Sequence, residues 1–552
     1  MKKYMELNQG RFTNLSYLFF EVRKWFIRLL QTLLSLSVMF IVLSCDNGTA
    51  NNVRANNSPN IIVILTDDQG YVDLGSYDSK TIKTPNIDNL AADGIRFTDF
   101  YTHPICSPSR AALMTGCYAP RTGFADVQLW GSPYGLNPDE VTIAEVLKGR
   151  GYRTGVIGKW HLGEENIFAP NQQGFDYFYG IRLVNGTQKF ENFAVPLFRN
   201  DSLITNRPNH SQFTKDFTSE ALSFIDHSEE KPFFLYLAYT APHAPIYPGE
   251  GFRGTSGVSL YADAVEEIDW SVGQLVGKLK EKGLEENTLI IYTSDNGPWL
   301  GLGDQSGSAG PLRGGKMSTW EGGVRVPCIM RWKNVIPSGK VCHEIAGIID
   351  LAPTIASVAN AEMPNDRIID GKNLLPLISG EEYTPPHEDY LFFAGTWLQG
   401  IRSGKWKLVF ARPEMKRGIY GECASWFTST AEILPENLLF DLEIDVGETK
   451  NLAKEYPEIV KNLSLLAEKA KEDIGDYGKK GKNSRPIGST YPELTDISKY
   501  PQSPHAKAAS EKMITEMRTF QKKRFGYLIM RDSSTLNGQE AEELKFYRQS
   551  SF

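Results

Sequence analysis

Four short runs of apolar residues along the chain are each followed closely by polar side chains. The runs span residues 60–66, 153–158, 232–238 and 288–293. Runs that are apolar at successive positions are typical of strands buried on both faces of a parallel sheet. The polar residues that follow them are Asp67 and Asp68, Lys159 and His161, His243, and Asp295 and Asn296. The pattern therefore predicts buried strands that end in residues capable of chemistry.

Helical patterns lie between these predicted strands, at residues 142–149 and 261–283. Strands that alternate with helices predict an α/β fold, with a large, mostly parallel sheet flanked by helices. In such sheets the ligand site lies outside the carboxyl ends of the strands, so the polar residues are expected to meet at one edge. A single pair such as Asp67 and Asp68 fits a turn or a helix cap equally well. Four sets of polar residues, each after a predicted strand of the same chain, favour a functional site over turns or helix caps.

The last third of the chain has the pattern of a smaller unit. Short strands are predicted at 391–393, 398–401 and 406–410, an amphipathic helix at 458–471, a loop at 478–492 and a second amphipathic helix at 506–525. We therefore expect a main domain that holds the site at 60–390, an α+β subdomain with an antiparallel sheet at 391–490, and a helical extension at 491–552.

The beginning of the chain has the features of an export signal. Residues 29–44 carry no charge and follow the basic Arg23, Lys24 and Arg28, which indicates a secretory segment. The sequence Val42-Leu43-Ser44-Cys45 resembles a bacterial lipobox. This predicts a lipoprotein signal peptide at 1–44, lipidation of Cys45 and a flexible tether at 45–59. The alternative is a plain signal anchor, for which the apolar run is short.

These features predict an exported bacterial lipoprotein, located in the periplasm or at the outer membrane or cell surface and attached to the membrane through its lipid.

Composition excludes several classes of protein. The chain of 552 residues is 41% hydrophobic and 23% charged, which excludes collagen-like, coiled-coil and wholly disordered proteins. A net charge of −7 argues against a nucleic-acid partner. Six cysteines are too few for a disulfide scaffold.

A Cys-x-Pro-x-Arg motif, formed by Cys106, Pro108 and Arg110, lies between the first two predicted strands. The motif alone is short. In the order Asp-Asp, Cys-x-Pro-x-Arg, Lys-x-His, His, Asp-Asn and Lys316, however, the chain resembles the type I sulfatase family. The resemblance spans roughly residues 59–453, and softer matching segments are 84–88, 94–97, 313–316, 321–325, 350–354, 440–442, 448 and 451–452. It implies an alkaline-phosphatase-like fold.

The resemblance implies a modified residue and a metal ion. Cys106 would be converted to Cα-formylglycine by a maturation enzyme, and its hydrated aldehyde would be the nucleophile. One calcium ion would be held by Asp67, Asp68, the modified Cys106, Asp295 and Asn296. Oxygen ligands of this kind suit hard cations such as Ca²⁺ or Mg²⁺ better than Zn²⁺. One departure from the family is Cys117, a second thiol whose disulfide with Cys106 would block maturation.

The resemblance also implies a role for each remaining residue. Arg110 would hold the formylglycine diol, and Lys159 and Lys316 would bind the sulfate oxygens. His243 would protonate the leaving alcohol, and His161 would take the second proton of the diol. Spacing alone does not assign the two histidines. Trp299 and Trp397 could supply flat faces for a sugar, but core or rim positions fit them equally well.

The expected function is a sulfatase that hydrolyses sulfate monoesters and releases inorganic sulfate and an alcohol. Because the chain resembles an exported lipoprotein, the expected substrate is a sulfated carbohydrate, with galactose or N-acetylgalactosamine units. One alternative is a phosphate or phosphonate ester hydrolase of the same superfamily, against which the Cys106 motif and the Asp-Asn pair argue. The other is a glycan-binding lipoprotein with a dead site, although every expected catalytic position is filled.

Overall fold

The computed structural model of the chain describes residues 58–128, 131–185, 195–228, 231–412 and 433–490. Within these residues the strands, numbered along the chain, are β1 (Asn60–Thr66), β2 (Ile95–Phe97), β3 (Phe100–Tyr101), β4 (Tyr134–Gly135), β5 (Arg153–Lys159), β6 (Tyr177–Ile181), β7 (Leu197–Arg199), β8 (Ser202–Thr205), β9 (Phe233–Ala238), β10 (Thr288–Ser294), β11 (Cys328–Arg331), β12 (Lys340–Cys342), β13 (Ala346–Gly347), β14 (Asp389–Ala394), β15 (Trp397–Ser403), β16 (Trp406–Val409), β17 (Leu438–Asp441), β18 (Gly475–Asp476), β19 (Lys479–Lys480) and β20 (Gly488–Ser489).

The α-helices of the described residues are α1 (Pro85–Ala92), α2 (Cys106–Thr115), α3 (Ile143–Lys148), α4 (Phe213–Asp226), α5 (Leu260–Glu281), α6 (Glu321–Val324), α7 (Leu351–Val358), α8 (Leu375–Ser379) and α9 (Pro457–Asp473). Helix α3 begins where its sequence predicts, because Thr142 and Glu145 form a capping box. The backbone N–H of Glu145 donates to Thr142 Oγ1, and the N–H of Thr142 donates to Glu145 Oε2.

The main sheet runs in the order β12-β2-β11-β10-β1-β9-β5-β6-β7-β8. Its centre, β10-β1-β9-β5-β6, is parallel throughout. Antiparallel strands β11 and β7 border this centre on either side. The prediction of a large, mostly parallel sheet is therefore confirmed, and each of the four apolar runs forms one of its central strands.

Helices cover both faces of the sheet, which explains why its central strands are apolar at every position. Side chains alternate between the two faces of a strand. Ile61, Val63 and Leu65 of β1 pack in one core with residues of α2, α3 and α7. Ile62 and Ile64 pack in a second core with residues of α1, α4 and α5. All seven residues of β1 are buried as a result.

A second sheet of four antiparallel strands has the order β14-β15-β16-β17. Helix α9 packs against it, and Leu463 and Ala467 of this helix share a core with Leu408 of β16. The predicted antiparallel sheet near the C-terminus is thus confirmed. The segment predicted as a loop at 478–492 differs, because β19 pairs with β18 and β20 pairs with β4.

Several predictions fall on residues outside the described ranges. They are the signal peptide at 1–44, lipidation of Cys45, the tether up to residue 57 and the helical extension at 491–552. These stay predictions, as do the domain limits at residues 390 and 490. Among the described residues, the structure contains no helix that combines the length and the apolar character needed to span a membrane.

Candidate active site

Strand register brings the predicted residues to one edge of the sheet. Thr66 of β1 lies beside Ser294 of β10, and Ala238 of β9 lies between Leu65 of β1 and Gly158 of β5. Strands β1, β10 and β5 therefore end at the same level, and their next residues meet there. The residues that this edge brings close together are Asp67, Asp68, Lys159, His243, Asp295 and Asn296.

Cys106 is the first residue of α2 and faces this edge. Its Sγ and one carboxylate oxygen each of Asp67 and Asp295 lie within 4.8 Å of one another. Every residue of α2 is buried, and Cys106 itself is only 2% exposed. Burial raises the pKa of the Cys106 thiol, although Lys159 and Lys316 oppose this. The unmodified side chain is therefore a neutral thiol at pH 7.

Three buried cations surround the carboxylates. Arg110 donates from Nε and Nη2 to Asp295 Oδ2, at 3.1 and 2.7 Å, and from Nη1 to the carbonyl of Lys159. Lys159 Nζ donates to Asp67 Oδ2 at 2.6 Å. Lys316 Nζ contacts both carboxylate oxygens of Asp68, at 2.7 and 2.8 Å. The edge thus holds three positive side chains among three negative ones.

The pKa values of two of the acidic residues, Asp67 and Asp295, are shifted in opposite directions. Burial by itself raises the pKa of Asp67, but Lys159, His243 and Arg110 outweigh it and hold this pKa well below its usual range. Burial and the neighbouring charge of Asp67 raise the pKa of Asp295 despite Arg110. Carboxylates packed this closely repel one another, and a bound cation would relieve that repulsion.

Two buried oxygens at this edge are suited to a metal ion. Asp67 Oδ1 and Asn296 Oδ1 are buried and have no hydrogen-bond partner. The amide of Asn296 donates from Nδ2 to Asp68 Oδ1 at 2.8 Å and to the carbonyl of Gly297. A buried acceptor without a partner is costly, and cation binding is one way to satisfy it. An all-oxygen set from Asp67, Asp68, Asp295 and Asn296 fits a hard divalent cation.

His161 follows β5 in a left-handed backbone conformation, with φ of 59°. Its Nε2 lies 3.0 Å from the carbonyl of Gln128, which can only accept, so Nε2 carries the hydrogen. Its Nδ1 is buried without a partner. Burial, with help from Lys159 and Arg110, lowers the pKa of His161 well below its usual value. The neutral ring therefore has a free lone pair on Nδ1.

His243 lies on the other side of the site, after β9. Its Nδ1 contacts the carbonyl of Ala244, and its Nε2 lies 3.6 Å from Asp68 Oδ2. Burial, and then Lys316, lowers the pKa of His243 to about 4. The ring of Trp299 lies beside both groups, with its centroid 6.0 Å from that of His243 and 5.2 Å from Lys316 Nζ.

Several neighbours of the site carry no signal in the sequence. Gln128 acts through its backbone carbonyl, and Tyr236 lies within the apolar run of β9 with its hydroxyl 3.4 Å from Arg110 Nη1. Asn185 donates from Nδ2 to the carbonyl of His243 at 3.0 Å. For Trp299 the sequence fits a sugar-binding face and a core or rim position equally well, and the structure places it beside His243 and Lys316. A Trp directly after the Asp-Asn-Gly-Pro segment was the available signal.

Cys106 and Cys117 do not form a disulfide, and both are free thiols. Helix α2 separates them, and its ten residues span about 15 Å. A disulfide needs Cα atoms within about 7 Å. Cys117 instead lies near Arg485, whose Nη2 is 3.4 Å from its Sγ. The second thiol therefore leaves Cys106 available for modification.

This fold and site define a class: an α/β protein of the alkaline-phosphatase-like type, with acidic residues gathered at the carboxyl edge of its sheet and Cys106 beside them at the start of a helix. Comparison with known proteins defines the family. The sulfatase family model matches residues 59–361, and a model for the C-terminal region of aryl-sulfatase matches residues 385–488. The chain therefore belongs to the sulfatase family and is a sulfuric ester hydrolase.

Characterised relatives support this assignment. The chain is 36% identical over 456 residues to N-acetylgalactosamine-6-sulfatase of Sus scrofa, covering 75% of this chain and 86% of the relative. It is 37% identical over 460 residues to arylsulfatase A of Bos taurus, covering 76% and 89%.

Solved structures are also similar. One is the Ps i-CgsB complex with k-i-k-neocarrahexaose, at 30% identity and a TM-score of 0.66, covering 82% of this chain and 99% of that one. A phosphonate monoester hydrolase of Agrobacterium radiobacter, at 18% identity and a TM-score of 0.53, shares the fold.

Proposed function

We propose that the protein hydrolyses sulfate monoesters on galactose- or N-acetylgalactosamine-containing glycans, with formylglycine formed from Cys106 and one calcium ion. One observation carries this proposal. Cys106 lies within 4.8 Å of two carboxylates, in a buried site that also holds three cationic side chains. A sulfate ester is an anion with a poor leaving group, so its hydrolysis needs positive charge, a nucleophile and a proton donor.

Two groups complete the site. Calcium, bound through Asp67, Asp68, Asp295 and Asn296, would act as a Lewis acid on the sulfate. Formylglycine at position 106 would supply the nucleophilic oxygen that a neutral thiol lacks. The unpartnered oxygens of Asp67 and Asn296 support the first group, and the position of Cys106 at the centre of the site supports the second.

The cationic side chains bind and orient the substrate. Lys159 pairs with Asp67 and Lys316 pairs with Asp68, so two buried ammonium groups are available at this edge for the oxygens of a sulfate. Arg110 is held by Asp295 and by the carbonyl of Lys159, which fixes its guanidinium beside residue 106. These charges are already in place before substrate binds, which is the condition for electrostatic catalysis.

The two histidines handle protons at different atoms. His161 accepts a proton at Nδ1, because its Nε2 is committed to the carbonyl of Gln128. His243 donates from Nε2 to the leaving oxygen, because its Nδ1 is committed to the carbonyl of Ala244. A bound sulfate offsets the charge of Lys316, which favours protonation of His243. Trp299 then offers an apolar face beside the leaving alcohol.

The carbohydrate part of the proposal is supported by the relatives and by the leader sequence. One relative is named for sulfated N-acetylgalactosamine, and one similar structure is a complex with a neocarrahexaose. The basic and apolar leader with Cys45 supports export as a lipoprotein, which would bring the enzyme into contact with extracellular glycans.

The test is sulfate release, measured by ion chromatography, from sulfated galactans and glycosaminoglycan oligosaccharides. The enzyme is produced in a host that forms formylglycine, beside a Cys106→Ala variant. Release by the enzyme and its loss in the variant are expected. If no substrate of the panel releases sulfate, although formylglycine is verified by peptide mass, the carbohydrate proposal is contradicted. Release that survives in Cys106→Ala would contradict the assigned nucleophile.

A further inference from the structure

The segment that carries Lys316 has little regular structure of its own. Residues 315–320 contain only a turn and a bend, and helix α6 begins directly after them at Glu321. Met317, the next residue, has φ of 70°, in the left-handed region that non-glycine residues rarely adopt. Such a backbone persists only where the surrounding contacts determine it. The position of Lys316 therefore depends on groups outside the segment.

Contacts with the main domain hold the start of the segment. The N–H of Lys316 donates to the carbonyl of Pro298 at 2.9 Å, which ties it to the segment after Asn296. The N–H of Met317 donates to the carbonyl of Pro104 at 2.6 Å, just before Cys106. Two bonds fix one end of the segment, and the other end needs its own anchor.

The C-terminal sheet and the loop after it, which carries Glu448, supply that anchor. Lys407 of β16 donates from Nζ to the carbonyl of Thr319 and to Glu321 Oε1, both at 2.8 Å. Thr319 Oγ1 donates to Gln399 Oε1 of β15 at 3.0 Å. The N–H of Glu321 donates to Glu448 Oε2 at 2.8 Å. Each of these bonds joins the end of the Lys316 segment to a residue far along the chain.

The anchor is fully buried and ionic. The side chains of Lys407, Glu321 and Glu448 are each 0% exposed, and Lys407 Nζ lies within 2.9 Å of both carboxylates. Apolar residues of similar volume often stabilise a core at least as well as a buried ion pair. Stability alone is therefore a weak reason for a lysine here. The directional hydrogen bonds of Lys407 to Thr319 and Glu321 provide a better reason for a lysine at this position, because they fix where residues 316–321 lie.

We propose that Lys407 is a positioning residue, which acts with Gln399 and Glu448 to hold residues 316–321 so that the ammonium of Lys316 stands at the sulfate site. This inference rests on the proposed function, in which Lys316 binds a sulfate oxygen. It assigns the C-terminal sheet a part in catalysis, through a chain of contacts from β16 to Lys316.

The experiment measures inhibition by inorganic sulfate, the product that Lys316 and Lys159 would bind without a leaving group. Lys407→Met removes the ammonium and keeps the apolar stem. We expect its inhibition constant for sulfate to rise by about tenfold to a hundredfold, the scale of a displaced catalytic contact. Calcium content should not change, because Asp67, Asp295 and Asn296 are untouched.

Matched variants separate positioning from general damage. Lys405→Met removes a partly exposed lysine of the turn between β15 and β16 that pairs with Asp441, and its inhibition constant should equal that of the unaltered enzyme. Lys407→Arg retains the charge and should recover part of the loss. Thr319→Val removes the bond to Gln399 and keeps the side-chain shape, so it tests the part of the anchor that Gln399 supplies. If Lys407→Met does not fold, Lys407→Arg provides the answer, because it alters the bonds from position 407 to Thr319 and Glu321.

Hydrolysis of a sulfate ester by the unaltered enzyme tests the proposed function separately and is measured first. If that enzyme carries formylglycine and hydrolyses no sulfate ester, the proposed function and this inference both fail. If it is active, and a folded Lys407→Met protein or, failing that, Lys407→Arg binds sulfate as tightly as it does, the positioning role alone is wrong.

Discussion

His243 and His161 differ in which ring nitrogen is free, and that difference predicts different substrate dependence. We expect His243→Gln to reduce turnover of alkyl sulfates by about 10²- to 10⁴-fold, because their leaving oxygens need a proton. Aryl sulfates leave more easily and should lose much less. The check is kcat on one alkyl and one aryl sulfate. Equal losses on both substrates would contradict the acid role of His243.

Trp299 lies beside both His243, the proposed proton donor, and Lys316, the proposed sulfate ligand. We expect Trp299→Ala to raise KM for a sulfated oligosaccharide by about tenfold, because the sugar ring loses an apolar face. Inhibition by inorganic sulfate, which has no ring, should be unchanged. Trp397→Ala is the control, since Trp397 packs against Tyr477. A tighter or weaker inhibition by sulfate in Trp299→Ala would instead indicate that the indole acts on Lys316.

At the scale of elements, the turn after β1 is held by a buried carboxylate. Asp73 accepts hydrogen bonds from the N–H of Gly70 and the hydroxyl of Tyr261, and burial raises its pKa from 3.8 to about 6. Well below pH 3.8 the Asp73 carboxyl is protonated in both the folded and the unfolded state. Between pH 4 and 6 the folded state binds more protons than the unfolded state, so this group lowers the free energy of unfolding as pH rises.

Asp73→Asn removes this titration. We therefore expect the stability of the unaltered protein, measured relative to the variant, to fall by up to about 3 kcal/mol between pH 4 and pH 7. Urea unfolding of both proteins across this range is the measurement. A difference in unfolding free energy that stays constant with pH would show that Asp73 ionises normally in the folded protein.

The strands, and the sheet edge at which the polar residues after them meet, could be predicted because local pattern determines them. Run 60–66 is apolar at successive positions and forms β1, and parallel strands bring their carboxyl ends together. The contacts that hold the site could not be predicted in this way. Lys407 and Glu321 are 86 residues apart, and nothing in either local sequence shows that they pair. The free nitrogen of His161 depends on the carbonyl of Gln128, to which any residue type could contribute.

For the molecule as a whole, a cation that binds only the folded state should raise thermal stability by mass action. We expect the melting temperature to rise on addition of calcium and to fall with a chelator. The stabilisation should be about 2.7 kcal/mol at a free calcium concentration of a hundred times Kd. Asp295→Asn should show a much smaller shift, because it lacks a charged ligand. Equal calcium shifts in the two proteins would contradict the assigned site.

The burial of α2 also dictates an order of events during biosynthesis. An enzyme that modifies Cys106 must reach the surrounding peptide, yet all ten residues of this helix are enclosed by the finished fold. Under the proposed function, Cys106 would therefore have to be converted while the chain is still open, before the main sheet closes over it. Maturation and folding then compete in time, and a chain that folds first is fixed as a stable protein with an inert thiol. The yield of active enzyme would then depend on whether conversion of Cys106 is faster than folding.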